Sequence, residues 1–197
     1  MVWRHIIGVL SDTHVPHRLP ALPPGVLNHF KGCEMILHAG DVEDPHILEP
    51  LRAIAPVHAV RGNVHWQYST GTHDHGLPAE VTVRIGSHTL WMTHGHLNFG
   101  YTMLDKLIHL GARPTRARIN QSIIKRLARA RPPEATIVVF GHSHQLCGVW
   151  QDGALFYNPG AVCMDTRVTG LPTVGRILID DAGAIHPEWT VLDNLRP

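Results

Sequence analysis

The sequence predicts an α/β fold of two mixed β-sheets packed face to face with helices outside them, and three features of the chain carry that expectation. The first 63 residues alternate short apolar runs with stretches of helical periodicity, as a parallel βαβαβ unit does. From Val81 onward apolar residues recur at period two on either side of Gly86-Ser87, as in a β-hairpin. The 18 glycines and 15 prolines fall as isolated punctuation and no linker divides the 197 residues, so a single domain is expected over 1–197.

Taken in order, residues 5–10 (HIIGVL) read as a buried strand closed by polar Ser11-Asp12-Thr13-His14. A proline-rich loop leads to a short helix around 26–30. Residues 34–38 (EMILH) form a second strand closed by Ala39-Gly40-Asp41. Pro45 suits the first turn of a helix to about residue 54, whose Ile47, Leu48, Leu51 and Ile54 recur at helical spacing. Residues 57–60 are a third strand, closed by Arg61-Gly62-Asn63. After the hairpin, 81–93, come helices near 101–110 and 116–131 and a buried strand at 136–140 (TIVVF). Asp152-Gly153 and Asp181-Ala182-Gly183 mark turns between short antiparallel strands.

Composition narrows the function classes. Seventeen Lys and Arg against sixteen Asp and Glu leave a net charge of +1, which argues against a protein organised around nucleic acid or an anionic membrane. No apolar run approaches the ~18–20 residues of a membrane span, and no secretory leader is visible. Cys33, Cys147 and Cys163 are scattered and odd in number, so they read as small apolar thiols in a reducing cytoplasm. Histidine is the outlier, with 17 copies.

Position shows which histidines matter. Five times an apolar strand runs into small residues and then a metal-type side chain: Ser11-Asp12-Thr13-His14, Ala39-Gly40-Asp41, Arg61-Gly62-Asn63, Thr93-His94-Gly95-His96 and Gly141-His142-Ser143-His144. Strand ends along one edge of an α/β sheet converge on a crevice, where such folds place their sites. Singly, Asp12 reads as a cap, Asn63 as a turn residue and His38 as a hydrogen-bonded core histidine. Five such endings together read as a metal centre. Carboxylate, imidazole and amide donors without thiolate suit Mn²⁺, Fe²⁺, Zn²⁺, Ni²⁺ or Mg²⁺. Two aspartates, an asparagine and four or five histidines exceed what one ion takes. Two ions about 3.5–4 Å apart, sharing a carboxylate and a hydroxide, use them all.

The motifs SDTH (11–14), GD (40–41), GN (62–63), THGH (93–96), GHSH (141–144) and NPG (158–160) make the chain resemble the calcineurin-like metallophosphoesterase superfamily over nearly its whole length. The resemblance is to the small YfcE-type phosphodiesterase branch, whose fold the retromer subunit Vps29 shares. It implies a four-layer α/β/β/α sandwich and two divalent ions, with Mn²⁺ favoured. One ion would take Asp12, His14, Asp41 and His144, the other Asp41, Asn63, His94 and His142, with Asp41 bridging. The ions would leave a bridging water as hydroxide near neutral pH, to attack phosphorus in line with the leaving oxygen.

Two departures from the family pattern bear on function. Many relatives read G-N-H, with a histidine assisting the leaving group; here Val64 follows Asn63 and His65 comes next. His65 and His96 are the candidate catalytic and substrate-binding groups, and either also suits a role of orienting a ligand. Asn63 is a candidate phosphate contact as well as a ligand, and His38 is expected to buttress Asp41. The second departure is a helical insertion at about 104–131, with eight basic residues (Lys106, Arg113, Arg116, Arg118, Lys125, Arg126, Arg129, Arg131) against Asp105. It reads as a solvated helix face, as a cap steering a polyanion, or as a contact with a second copy. The expected function is a dinuclear phosphodiesterase acting on a small phosphorylated substrate such as a nucleotide. A non-catalytic Vps29-type scaffold and a nuclease using the basic helices are the competing readings. Every ligand position is filled, which speaks against the scaffold. No basic–aromatic alternation for stacking bases is present, which speaks against the nuclease.

Overall fold

The computed structural model describes residues 2–63, 76–110, 118–163 and 171–192. Two five-stranded mixed sheets face one another. The first has the order β10-β9-β1-β2-β3, from β1 (Trp3–Leu10), β2 (Met35–His38), β3 (Val57–Ala59), β9 (Thr173–Asp180) and β10 (Ile185–Val191). The second has the order β4-β5-β6-β8-β7, from β4 (Glu80–Ile85), β5 (His88–Thr93), β6 (Ala135–Val139), β7 (Cys147–Gln151) and β8 (Ala154–Asn158). β1, β2 and β3 pair in parallel, as the opening alternation predicts, and so do β5, β6 and β8.

The alternation of side chains across each strand builds the layers. Ile7, Val9 and Leu37 of the first sheet meet Leu90, Met92, Ile137, Val139, Leu155 and Tyr157 of the second in a fully buried interface. On the outer face of the first sheet, Leu10 and Ile36 pack with Val26 of α1 (Pro24–His29) and Leu51 of α2 (Glu49–Arg52). On the outer face of the second, Trp91, Val138, Phe140 and Phe156 receive Ile119, Ile123, Ile124 and Leu127 of α4 (Ile119–Ala130). Helix α3 (Phe99–Leu110) packs beside α4. The result is the expected α/β/β/α sandwich.

One helix differs from its expected form. The segment from Pro45 is a 3₁₀ turn, Pro45–Leu48, capped by the Asp44 carboxylate on His46 N–H, and only then a single α turn. Pro50 explains the break: with no N–H and a fixed φ it starts a turn and cannot sit inside one. Among the described residues no helix is long and apolar enough to cross a membrane.

Leu90 is wholly enclosed between the sheets, whereas Lys125 faces solvent on α4. Leu90→Ala should cost about 2–5 kcal/mol by urea unfolding and Lys125→Ala less than about 0.5 kcal/mol. Equal costs would contradict this layering.

Candidate metal centre

The loops that leave β1, β2, β5 and β6 meet at one edge of the sandwich, and their backbone is unusual. Asp12, His14, Asp41, Glu43, His142 and His144 all sit in the left-handed region, with φ of 53°, 50°, 56°, 61°, 70° and 58°. An L-residue held there costs about 1–2 kcal/mol, and such residues cluster where structure serves function. The pattern recurs three times: two left-handed residues flank one ordinary residue at 12–14, 41–43 and 142–144. Close approach of backbone is the second constraint. A Cβ on Gly62 would overlap the Asp41 carboxylate, and one on Gly40 would overlap the His94 ring.

Hydrogen bonds lock these loops. The Thr13 hydroxyl donates to the Asp41 carbonyl at 3.2 Å and lies 3.1 Å from His38 Nε2. Gly40 N–H donates to His38 Nδ1 at 3.3 Å, which leaves the His38 proton on Nε2. His38 thus stands behind Asp41 and ties the two loops together. Asn158, of the NPG motif, donates to the Gly141 carbonyl at 2.9 Å and to Ser143 Oγ at 3.1 Å.

Seven polar side chains converge in front of these loops. Asp12, His14, Asp41 and His144 each offer one donor atom, all within 4.8 Å of one another. His14 Nε2 is 3.4 Å from Asp41 Oδ2 and 3.4 Å from His144 Nε2, which is 3.2 Å from Asp12 Oδ1. On the other side His94 Nε2 and His142 Nδ1 lie 3.0 and 2.9 Å from Asn63 Oδ1. Asp41 Oδ2 is also 3.4 Å from His94 Nε2, so one carboxylate oxygen borders both groups, while Asn63 N–H donates to Asp41 Oδ1 at 2.9 Å.

The residues fit a divalent cation. His94 Nδ1–H donates to the Ala39 carbonyl at 2.7 Å, and His14 Nδ1 stands 2.7 Å from Glu43 Oε1. With the protons on those outer nitrogens, the inner Nε2 lone pairs face carboxylate and amide oxygens or a second imidazole. Lone pairs facing lone pairs repel unless positive charge lies between them, a proton on Nε2 where no metal is bound and a cation where one is. Bonds of ~2.1 Å put neighbouring donors ~3.0–3.4 Å apart in an octahedral or tetrahedral shell, the spacing seen across both groups.

Burial and mutual attraction oppose one another throughout. Burial alone would raise the Asp41 carboxyl, yet the imidazoles of His94, His14 and His142 hold it well below the usual range, and His144 does the same for Asp12. Burial would lower His94, but Asp41 and Asp12 carry it up to about 9. Burial prevails at His142, which is lowered, and at His38, which falls to about 4.

Two carboxylates outside the seven touch the histidines from behind. Glu43 contacts His14 and, through Oε2, His17 Nδ1. Asp105 on α3 has Oδ2 at 3.0 Å from His142 Nε2 and pairs with Arg126 of α4. The sequence pattern marks neither as a positioning group, and in it Arg126 is one of the basic residues of the 104–131 segment. It is buried, whereas Arg118, Lys125 and Arg129 are exposed. Arg113, Arg116 and the Lys106 side chain lie outside the described residues, as does His65. His96 is buried beside His94 and His142, with ring centroids 5.5 and 5.9 Å away. Cys163, expected to be a small apolar thiol, brings its sulfur to within 4.8 Å of the donor atoms of His14 and His144.

A sandwich whose strand ends gather carboxylates, imidazoles and an amide defines a metallophosphoesterase-like protein. The model of the calcineurin-like phosphoesterase superfamily domain matches residues 6–181, and the chain belongs to that superfamily, whose members use divalent metals. It is 39% identical over 92 residues to a probable metallophosphoesterase of Methanothermobacter thermautotrophicus, covering 47% of this chain and 51% of that protein. The match spans about half the length of that relative. A phosphodiesterase of Methanocaldococcus jannaschii is 22% identical over 179 residues, 86% of this chain and 90% of that one. The crystal structure of a single mutant of Vps29 from Entamoeba histolytica shares the fold, with a TM-score of 0.62 at 22% identity over 95% of this chain and 99% of that one.

Gly62→Ala should lower stability by about 1–3 kcal/mol and displace the Asp41 carboxylate, read as earlier thermal unfolding together with weaker Mn²⁺ retention on dialysis. Normal retention would contradict the close approach. His38 supplies a pH test. Its folded pKa near 4 lies below the ordinary 6.5, so the stability it contributes is present above pH 6.5 and lost as pH falls toward 4. Between pH 7 and 5 that loss is about 2 kcal/mol. In chelator-treated protein, His38→Gln should flatten the acid decline of unfolding free energy by that amount. Parallel curves for variant and wild type would refute it.

Proposed function

We propose that the protein is a dinuclear metal-dependent phosphodiesterase hydrolysing small phosphodiesters or nucleotides, with Mn²⁺ the favoured ion. The observation that carries this reading is the meeting of seven donor side chains in two groups that share Asp41 Oδ2. Asp12, His14, Asp41 and His144 would hold one ion and Asp41, Asn63, His94 and His142 the other. Two divalent ions, when bound, supply Lewis acidity at the phosphoryl oxygens and an activated water for in-line attack at phosphorus.

The chain's own residues do the remaining work. The shared carboxylate of Asp41 would offset the mutual repulsion of two cations. The His94 and His14 rings are fixed by partners on their outer nitrogens, so their inner nitrogens would meet the ions without reorganisation. His96, next to the His94 and His142 rings, would contact a phosphoryl oxygen or give a proton to the leaving oxygen, and His65 is the second candidate for that role. Exposed Arg118, Lys125 and Arg129 would draw anionic substrates toward the centre. Free thiols at Cys33, Cys147 and Cys163 agree with a cytoplasmic setting. The filled donor set favours this reading over a scaffold of the Vps29 type, where loss of a ligand would be tolerated.

Metal-stripped protein reloaded with Mn²⁺ should hydrolyse bis(4-nitrophenyl) phosphate. Asp41→Asn should lower kcat by at least about 10³-fold, on the scale of losing a principal charge-stabilising group, with an unchanged circular dichroism spectrum. Absence of turnover with every divalent ion tried would turn the reading to the scaffold. Full activity of Asp41→Asn would reject the shared carboxylate.

A further inference from the structure

The segment holding α3 and α4 buries an ion pair, and the acidic member of that pair reaches the centre. Asp105 of α3 is fully enclosed. Arg126 of α4 embraces it, with Nη1 donating to Oδ1 at 3.0 Å and Nη2 donating to Oδ2. The same guanidinium donates Nε–H to the Gly95 carbonyl at 2.8 Å and lies 4.9 Å from the centre of the Tyr101 ring. Asp105 Oδ2 then meets His142 Nε2 at 3.0 Å, at contact distance but off the line of a straight hydrogen bond. The other nitrogen of that ring, Nδ1, faces Asn63 Oδ1 at 2.9 Å. A second link runs the same way: Ser143 Oγ donates to Asn120 Oδ1 at 2.7 Å, and Asn120 Nδ2 donates to the Gln145 carbonyl at 3.1 Å. Helix α4 therefore holds the 141–145 loop directly through Asn120, and α3, braced by Arg126, meets it through Asp105.

Burying a guanidinium and a carboxylate away from water is costly, and apolar side chains would join two helices more cheaply. What apolar side chains cannot do is decide which nitrogen of a histidine carries the proton. A carboxylate behind an imidazole does so, and it also fixes the plane of the ring.

We propose that Asp105 is a positioning residue for His142: it holds Nε2–H toward its carboxylate and so presents Nδ1 to the metal, with Arg126 keeping Asp105 in place. The proposal rests on the two-ion reading and makes one of the two positions depend on the α3–α4 pair. The ion held by Asn63, His94 and His142 needs this pair, and the ion held by Asp12, His14 and His144 does not.

The test is metal binding, not turnover. The double variant Asp105→Asn/Arg126→Gln replaces the buried pair with neutral groups of similar shape. Competition of Mn²⁺ against a chelator should show one of two sites weakened ~10–100-fold and the other within about two-fold of wild type. Loss of affinity at both sites together, or at neither in a folded variant, would overturn the proposal. A measurement on the wild type covers the case in which the variant does not fold. In Zn²⁺-loaded protein labelled with ¹⁵N-histidine, His142 should show a protonated Nε2 and a metal-bound Nδ1; coordination through Nε2 would overturn the assignment. Wild-type protein that binds no divalent ion would reject the two-ion reading itself and this proposal with it. Two tight sites that the double variant leaves unchanged would reject only the role of Asp105.

Discussion

The carboxylate of Asp41 is the charge around which this molecule is arranged. It is almost wholly buried, and one of its oxygens lies 3.4 Å from both His14 and His94. An ionised carboxylate removed from water demands compensation of several kcal/mol, and a deep interior supplies it only through partners at contact distance. Asp12 repeats the problem, also fully enclosed. Two such groups side by side repel, so the imidazoles between them are required even before chemistry is considered. Raising His94 to about 9 is the protein's partial answer, and a multivalent cation among the same donors is the complete one.

That demand accounts for the backbone. To aim side chains at positions i and i+2 toward one point, a loop leaving a strand must curl sharply, and the left-handed region at both residues does this. Five of the seven candidate ligands adopt it. The strain is affordable because each loop is anchored on a rigid strand whose neighbours on both faces are packed apolar layers. Bonds from Asn158 to the Gly141 carbonyl, and from Thr13 to the Asp41 carbonyl, hold the curl in place. The sheets provide direction and the hydrogen-bonded loops provide curvature.

The sequence disclosed the parts in which cause and effect are neighbours along the chain. A strand, its terminating glycine and its metal-type residue lie within a few positions of one another, so Asp12, His14, Asp41, Asn63, His94, His142 and His144 could be named together with the strands that carry them. Glu43 and Asp105 were out of reach because their contacts arise from tertiary approach. Glu43 meets His14 across 29 residues, and Asp105 meets His142 of the loop after β6 from helix α3. Arg126 was legible in principle. It lies seven positions after Ile119 and three after Ile123, on the apolar face of α4, and a charge on a buried stripe calls for a buried partner. The signal lies in the helical position of Arg126 and not in the charge total of the segment. The broken helix at Pro45–Leu48 was similarly legible from Pro50.

The outer partners of the histidines make the two halves of the centre chemically unequal. His94 gives its outer proton to a neutral carbonyl, that of Ala39. His14 leans on Glu43, which a half-exposed His17 also contacts, so the charge behind His14 is shared with a group open to solvent. Behind His142 the carboxylate is enclosed, and its charge is already balanced by Arg126. A carboxylate makes the opposite nitrogen a stronger donor than a carbonyl does, and a competing cation weakens that effect. Rings that look interchangeable in the motifs therefore differ in what stands behind them. The difference comes from Ala39, Glu43 and Asp105, none of which needs to touch an ion.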